Sequence, residues 1–478
     1  MKRRFILLVT FLVLALTACT VTTQSSQTTT QSSTTTTTTK TTSQTTQKPT
    51  TQTTTTTSQT TQTTKEEFKS NAKNITNYVS KEGDIPLIHI NTNDKVFPYD
   101  RENYIKGTFK ITEQPNQDNV LFETATMGVR LRGNSTSAAP KKAFRVKFDS
   151  KQSLFGLPKA KSWVLLANYF DKSNLRNYLA YLTANKLSNL EYQPSSIFVD
   201  VNFNGEFLGT YLLCEQMQTG EGRVDIEQEV WDINNPSYFI ELDALERIKE
   251  DGLEAGVEYF STYDQYFAIK YPEKPELTNK GCLTLSKIMT LMFQLIEEKG
   301  NYEQILDVDS IIDFYLIQEL FKNVDVGTSS VYYYFQDGKL YAGPVWDFDI
   351  GLEAVGRNNR DDTYGHYEDA ELYARYRNKM FSMLFEDPRF EQKVKDRYQE
   401  VRPILQTIYD EIYTARLYLT NAVLRNDKKW PIPGDLSTWI SSRYKQEYQD
   451  LTNSVQHINY LKSKLDKQFE ILDKYYLA

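Results

Sequence analysis

The stretches Gly128-Val129-Arg130-Leu131-Arg132 and Ala143-Phe144-Arg145-Val146-Lys147-Phe148 decide the class of fold. In both, apolar residues alternate with other residues, mostly basic ones, which is the period of a β-strand with one buried face. Two more short runs of this kind precede them, Pro86–Ile90 and Gly107–Ile111, and Asn, Asp, Gly and Pro separate all four. The segment from Ile85 to about Phe148 is therefore predicted to consist of short β-strands.

The rest of the chain is predicted to become helical. Apolar residues at helical spacing predict a helix over residues 171–187, with Asp171 as its N-cap. Asn204-Gly205 and Asp337-Gly338, each between apolar runs, predict the turns of two hairpins. Longer helical stretches are predicted at residues 277–320 and from 373 to the end, with a break near 431–434. The pattern is α+β, with a β-rich first half and a helix-rich second half.

The amino terminus carries an export signal. Lys2, Arg3 and Arg4 precede the apolar stretch Phe5–Leu16, which has the length of a signal h-region and is too short to span a bilayer permanently. Leu16-Thr17-Ala18-Cys19 follows and resembles a bacterial lipobox, so Cys19 is predicted to be lipidated. An ordinary signal peptide with an accidental cysteine is the alternative. Anchoring would place the protein on the extracellular face of a bacterial membrane, in a Gram-positive cell.

Residues 20–65 form a low-complexity stalk after the signal sequence of residues 1–19. Thr, Ser and Gln dominate it, and from Val21 to Thr64 its only charges are Lys40 and Lys48. Such a segment has nothing to bury and cannot offset the entropy of folding. It is predicted to be a disordered spacer, or low-complexity drift without a selected length, that joins the anchor to a module of residues 66–478.

Composition excludes several classes of function. The net charge is −7 with both signs mixed, so no nucleic-acid footprint is present. The histidines, His89, His366 and His457, lie far apart, and no His-based zinc motif or Ser-His elbow occurs. Beyond Cys19 there are only Cys214 and Cys282, too few for a disulfide scaffold.

One cluster that can carry chemistry is the loop Arg130–Ser137, followed by Pro140-Lys141-Lys142. A loop rich in Gly and hydroxyl groups between strands exposes backbone N–H groups that can hold phosphate, and the basic residues supply counter-charge. The same residues are also consistent with an ordinary surface hairpin beside a basic strand.

Acidic residues form the other clusters. Asp347 and Asp349 lie two residues apart in an extended apolar stretch, so they point to the same face and repel unless a cation lies between them. Alternatively, one caps a turn and the other faces solvent. Asp325 stands alone after a long helical segment. The clusters follow one another as a basic loop, a lone Asp and an Asp pair, which is the order of the catalytic parts in phosphoryl-transfer enzymes. The usual kinase motifs G-x-G-x-x-G, H-R-D and D-F-G are missing.

These clusters, with the residues between them, resemble the CotH kinase family, the spore-coat-protein-H type of atypical secretory protein kinase. The likeness rests on the order and spacing of several motifs and covers nearly all of the chain after the stalk. The matching segments are Arg132–Thr136 with Pro140–Lys142, Phe155–Leu157 through Trp163 to Asp171–Asn177, Asn204–Tyr211 ending at Glu215, Lys270–Pro272, Asp325 and Pro344–Asp349.

The resemblance implies a divergent two-lobed protein-kinase-like fold, with a small lobe at about 80–216 and a large lobe at about 217–478. Family members of this kind transfer phosphate from ATP to Ser or Thr of secreted proteins, so a secreted or surface protein is the implied partner. The implied cofactors are ATP and a divalent metal, Mg²⁺ in the first place with Mn²⁺ and Ca²⁺ as alternatives, because oxygen ligands alone do not decide. The oligomeric state is left open.

The resemblance also implies roles for the chemical residues. Asp325 would be the catalytic aspartate, and Asp347 with Asp349 would bind the metal. The remaining nucleotide-binding residues would be Arg132 and Ser135 in the loop, and Glu215 near the adenine-binding hinge.

The nucleotide-phosphate lysine would be Lys142, with Lys141 as the fallback. Lys142 is expected on the same strand face as Phe144 and Val146, pointing inward.

One departure from the kinase pattern favours a second hypothesis. Kinase catalytic loops carry an Asn five positions after the catalytic Asp, whereas Ser329 and Ser330 occupy that region here, and a hydroxyl is a poorer Mg²⁺ ligand. The alternative is a catalytically weak, kinase-fold surface protein that binds another protein, cell wall or polysaccharide, with Tyr332–Phe335 stacking on sugars. A glycoside hydrolase using Asp325 and Asp347 is a third hypothesis, which gives Lys142 no role.

Overall fold

A computed structural model describes residues 84–352, 371–432 and 446–477 of the chain. Cys19, the signal sequence and the stalk lie outside these ranges, so their predicted roles stay predictions. The described residues all belong to one contact unit, which begins at Thr64. The proposed division into two lobes likewise stays a prediction.

The first half of this unit is a closed seven-stranded barrel. Its strands run in the order β1-β2-β3-β4-β5-β7-β6, and a parallel pairing of β1 with β6 closes it. The strands are Leu87–Thr92 (β1), Ile105–Thr112 (β2), Val120–Arg132 (β3), Ala143–Gln152 (β4), Ala160–Leu166 (β5), Ser196–Phe203 (β6) and Glu206–Glu215 (β7).

The alternation of apolar and basic residues in β3 and β4 builds the barrel because each strand turns every second residue inward. Val129 and Leu131 of β3 pair with Val146 and Phe144 of β4, and all four are buried in the barrel core. Strand β5 was not predicted, because its apolar run does not alternate. Trp163 and Leu165 of this strand enter the barrel core while Val164 packs outward on the helical part.

The second half combines helices with a five-stranded antiparallel sheet, ordered β12-β11-β8-β10-β9. Its strands are Tyr238–Leu242 (β8), Tyr259–Thr262 (β9), Gln265–Tyr271 (β10), Val331–Gln336 (β11) and Lys339–Ala342 (β12). The helices of the described ranges are Arg176–Asn185 (α1), Leu245–Glu250 (α2), Asn279–Glu297 (α3), Val308–Leu320 (α4), Ala374–Arg377 (α5), Lys379–Leu384 (α6), Pro388–Gln406 (α7), Ile408–Tyr418 (α8), Thr420–Lys429 (α9), Gln446–Gln449 (α10) and Ser454–Tyr476 (α11).

The predicted α+β class is confirmed, with a β-rich first half and a helical second half. The hairpins at Asn204-Gly205 and Asp337-Gly338 and the helices over 277–320 are confirmed as well. The tract Tyr332–Phe335 forms β11 and is buried, so the hypothesis that it stacks on carbohydrate is wrong. Cys214 and Cys282 are both free and buried.

The start of helix α1 corrects one prediction. Asp171 is not its N-cap, because the helix begins five residues later, at Arg176. The Asp171 carboxylate instead accepts hydrogen bonds from the backbone N–H groups of Ser173 (3.0 Å) and Arg176 (2.8 Å) and pairs with the Arg176 guanidinium (2.6 Å). It therefore organises the buried loop that leads into the helix.

Over the described ranges, we find no helix with both the length and the apolar character required to cross a membrane.

Candidate functional site

A cavity of about 200 Å³ lies beside the end of β3, between the barrel, α2 and the segment after β12. It brings together most of the residues that the sequence singled out. Among the side chains that line it are Arg132, Lys141, Asn177, Glu241, Arg247, Asp325, Ser330, Tyr332, Trp346, Asp347 and Asp349.

The residues on both sides of Asp347 bind to parts of the protein that are distant in sequence. The Val345 backbone N–H donates to the Gln193 side chain (2.9 Å), and the Phe348 N–H donates to the Asn177 side chain (2.7 Å). Trp346 stacks on Tyr181 of α1, with ring centroids 5.5 Å apart and planes inclined by 7°. These contacts fix the backbone on both sides of Asp347, so its carboxylate has a defined place at the cavity wall.

Asp347 and Ser330 both adopt a left-handed backbone conformation, with φ of 65° and 59°. Residues other than glycine seldom adopt this conformation, and where they do it is held by the surrounding structure and concentrates at functional sites. The Ser330 hydroxyl donates a hydrogen bond to the Asp347 carboxylate (3.2 Å). The residue that departs from the kinase pattern therefore orients one of the two carboxylates expected to bind metal.

The carboxylates of this cavity perturb one another. Burial raises the pKa of Asp325, and the charge of Asp347 raises it further. Burial likewise raises the pKa of Asp349 well above its usual range. The charges of Asp347, Asp171 and Asp325 raise it further. Burial alone would lower the pKa of Arg247, but the charges of Asp325, Asp243 and Asp347 raise it. The site thus gathers negative charge, and Arg247 on α2 supplies counter-charge together with Arg132 and Lys141 of the same cavity wall.

These carboxylates suit a divalent cation. Asp349 is only 8 % exposed, and its carboxylate forms no hydrogen bond or ion pair with any described residue. Within the described ranges, no group of three or more His, Cys, Asp and Glu side chains is disposed to hold a metal. Mg²⁺, however, usually takes one or two carboxylates and completes its shell with water and substrate phosphates. Asp347 and Asp349 are therefore enough carboxylates for a Mg²⁺ ion that also binds water and phosphate, but not for a metal held by protein ligands alone.

The two candidate lysines lie in different surroundings. Lys141 lines the cavity and is buried; its ammonium donates to the Thr210 carbonyl and to the Asn426 side chain (3.0 Å). Burial lowers its pKa to about 7, and the charge of Lys172 adds to this effect. Lys142 is half-buried, donates to the Ser137 carbonyl (2.8 Å) and is absent from the cavity wall. The prediction that Lys142 lies on the strand with Phe144 and Val146 is wrong, because β4 begins only at Ala143.

The other predicted nucleotide residues are spread more widely. Arg132 lines the cavity, and its guanidinium lies 5.3 Å from the centre of the Trp346 ring. Ser135 begins a short 3₁₀ helix, Ser135–Ala138. Glu215 ends β7, accepts from the Ser195 N–H (2.9 Å), pairs with Arg223 (3.6 Å) and does not line the cavity.

Sequence reasoning missed two charged residues of the site, Glu241 and Arg247. Glu241 accepts a hydrogen bond from the Tyr332 hydroxyl (2.8 Å) and pairs with Lys270 (2.7 Å). The run Glu241-Leu-Asp243 has the same spacing of two acidic residues as Asp347 and Asp349, and this was the available signal. No comparable signal marked Arg247.

Comparison with known proteins adds an independent observation. The family model described as CotH kinase protein matches residues 129–466, which include the end of β3, the cavity and most of the helical half. No curated protein matches this chain. A match of this extent agrees with the motifs around Arg132, Asp325 and Asp347 and shows that the chain belongs to the CotH kinase family.

Proposed function

We propose that this protein is an atypical protein kinase that transfers the γ-phosphate of ATP to Ser or Thr residues of secreted or surface proteins. Membership of the CotH kinase family points to kinase chemistry in general terms. The observation that carries the finer proposal is the meeting of Asp325, Asp347 and Asp349 with Arg132 in one cavity. We further propose that the barrel and the helical half are the two lobes of a divergent kinase-like fold.

Asp325 is proposed to orient the acceptor hydroxyl and to accept its proton. A general base works best when its pKa lies near the operating pH, and burial together with the charge of Asp347 moves the pKa of Asp325 in that direction. Its backbone supports this position, since the Asp325 carbonyl accepts from the N–H groups of Thr328 (2.8 Å) and Ser329 (3.0 Å).

Asp347 and Asp349 are proposed to hold the divalent metal. When bound, the metal would neutralise charge on the nucleotide phosphates and help to align the terminal phosphate. Ser330 would position Asp347 for this task through its hydrogen bond. The same serine supports the runner-up hypothesis, a catalytically weak surface binding protein, because it stands where kinases place a metal-binding amide.

The setting of this activity is also part of the proposal. Lipidation of Cys19 would anchor the protein to the extracellular face of the membrane, and residues 20–65 would extend the module from that surface. The partner would be a secreted or surface protein that reaches the anchored kinase.

The test is incubation of the full chain with labelled ATP and Mg²⁺, Mn²⁺ or Ca²⁺, scoring autophosphorylation and transfer to secreted proteins. Binding is measured separately by calorimetry. Asp325→Asn should leave ATP and metal binding almost intact while strongly reducing transfer. Asp347→Asn should abolish the metal dependence of ATP binding, and Asp349→Asn should do so less completely. Absence of metal-dependent ATP binding in the wild type would refute the kinase proposal.

The lysine assignment needs its own pair of variants. Lys142→Ala and Lys141→Ala are compared for ATP affinity and for thermal unfolding in the absence of nucleotide. The variant that lacks the phosphate-binding lysine should bind ATP less tightly, and its unfolding midpoint should change little. Because Lys141 bonds to Thr210 and Asn426, a loss of stability with unchanged ATP affinity would instead make it a structural residue.

A further inference from the structure

The outer face of the barrel carries three arginines beside the candidate site. In the register of β3 and β4, Arg130 lies directly opposite Arg145, and Arg132 is two residues further along β3 on the same face. Their neighbours in sequence, such as Leu131 and Phe144, point into the barrel core. We call Arg130, Arg132 and Arg145 the arginine face. Like charges directly opposite on neighbouring strands destabilise a sheet, so this arrangement needs an explanation.

Three cavities meet at the arginine face. Arg132 lines the cavity that contains Asp325 and Asp347. All three arginines line a second cavity of about 660 Å³, which also contacts Gly133 and Gln216. Arg145 continues into a third cavity of about 520 Å³, where Lys147 lies beside it. A ligand on this face would therefore extend directly into the site of the acidic residues.

The three guanidinium groups have few partners among the described residues. None forms an ion pair with a described carboxylate, including those that line the second cavity. The Nε atoms of Arg130 and Arg145 are buried without a hydrogen-bond acceptor in this part of the chain. The contacts that the guanidinium groups do make are weak ones. They are Arg130 over the Tyr104 ring (5.0 Å), Arg132 over the Trp346 ring (5.3 Å) and Arg145 to the Ser162 hydroxyl (3.3 Å).

These features define the ligand chemistry. Buried N–H groups without acceptors are costly, and guanidinium groups bind phosphate oxygens in pairs of hydrogen bonds. A chain of linked phosphates offers several anionic oxygens to neighbouring arginines and would remove the repulsion between Arg130 and Arg145. Arg132 lines both the second cavity and the cavity of the acidic residues. A phosphate chain bound along the arginine face would therefore end beside Asp325 and Asp347.

We propose that Arg130, Arg132 and Arg145 bind the polyphosphate chain of a nucleoside triphosphate, a role that rests on the proposed kinase function. Of these residues, Arg145 had no role in the assignments drawn from the sequence, and Arg130 entered them only as part of the basic loop Arg130–Ser137. A free polyphosphate would use the same contacts, so the experiment has to distinguish it from a nucleotide.

The experiment is calorimetry on the full chain with Mg²⁺ and, in separate titrations, ATP, ADP, AMP and tripolyphosphate. Affinity should fall in the order ATP, ADP, AMP. Arg130→Gln and Arg145→Gln should each weaken ATP binding by about tenfold or more, because each removes charge-assisted hydrogen bonds to phosphate. AMP binding should change much less. The matched control is Lys106→Gln, which removes an exposed cation of the same barrel that lies outside all three cavities.

Thermal unfolding without nucleotide separates loss of binding from loss of folding. If Arg145→Gln unfolds, Arg145→Lys keeps a cation but cannot form paired hydrogen bonds, and it should bind ATP less tightly than the wild type.

The outcomes separate this inference from the proposed function. Equal ATP affinity in the wild type and in folded arginine variants would overturn the inference and leave the kinase proposal standing. Binding of tripolyphosphate but not ATP by the wild type would support an anion site here and refute the kinase proposal. Binding of neither ligand would overturn both.

Discussion

Replacement of Asp347 by Asn should change the stability of this protein in opposite directions with and without metal. Asp347 raises the pKa of both Asp325 and Asp349, so its charge opposes theirs in the folded protein. Asparagine keeps the shape of the side chain and is among the residues that best tolerate the left-handed φ of 65° at this position. Without metal, the variant should therefore be more stable than the wild type.

The size of this gain follows from the charges in the cavity. Two unit charges repel by about 4 kcal/mol at a separation of 4 Å and an effective dielectric constant near 20, and by about half as much at twice that separation. Asp347 is partly exposed, so screening by solvent reduces this figure, and we expect a gain of roughly 1 kcal/mol. For a folded unit of this size, this corresponds to a rise in the unfolding temperature of roughly 1 to 2 °C. The loss of metal stabilisation should exceed this gain once Mg²⁺ is saturating.

The assay is thermal and denaturant unfolding of wild type and Asp347→Asn at pH 8, in EDTA and in a series of Mg²⁺ concentrations. The stability order should reverse between the two conditions. Glu276→Gln, which removes an exposed carboxylate outside the three cavities, is the control for a general effect of charge. A variant that is less stable than the wild type in EDTA would refute the reasoning about repulsion. A wild type that gains nothing from Mg²⁺ would refute the metal assignment.

Three further predictions concern other parts of the chain. Burial, followed by the charges of Arg176 and Lys172, lowers the pKa of His457 to about 3, so only the unfolded chain takes up this proton between about pH 6.5 and 3. Stability should fall as the pH drops through this window, and His457→Phe, which keeps the contact with Tyr448, should reduce the loss at pH 4.5 by about 2 kcal/mol in denaturant unfolding. Ser330→Asn suits the left-handed backbone at that position and should tighten Mg²⁺ binding severalfold by calorimetry; weaker binding would show that the hydroxyl serves Asp347 better. Cys19→Ser should release the protein to the medium or leave it unprocessed, and unchanged membrane retention on fractionation would contradict lipidation.

The parts of the fold that the sequence predicted are those in which the two faces of an element differ chemically. In β3 and β4, apolar residues face the core and basic residues face outward, so the period was visible. The strands β5, β8 and β10 are mostly buried on both faces, so their sequences show no alternation of apolar and polar residues. The hairpin of β11 and β12 was predicted from the turn residues Asp337-Gly338 between two apolar runs.

For the site, the carboxylates were easier to identify than the cations. Asp347 and Asp349 are close in sequence, and both line the cavity. The left-handed backbone at Asp347, however, interrupts the extended conformation from which their common face was predicted. The choice between Lys141 and Lys142 depended on the residue at which β4 begins, which local pattern does not determine. Arg247 reaches the cavity because β8 and α2 bring it there, and such a tertiary contact has no signature in the local sequence.

The hydrogen bond between Lys141 and Asn426 joins residues that are 285 positions apart in the chain. Asn426 belongs to α9, and its side chain also accepts from the Thr210 N–H of β7 (3.1 Å). A ribosome makes the amino-terminal strands first, so the barrel strands exist long before their partner in α9. A nascent chain that ends before α9 lacks one of the two acceptors of the Lys141 ammonium, the other being the Thr210 carbonyl of β7. The surroundings of Lys141 are therefore complete only after nearly the whole polypeptide, through α9, has been synthesised, although the barrel strands are made much earlier.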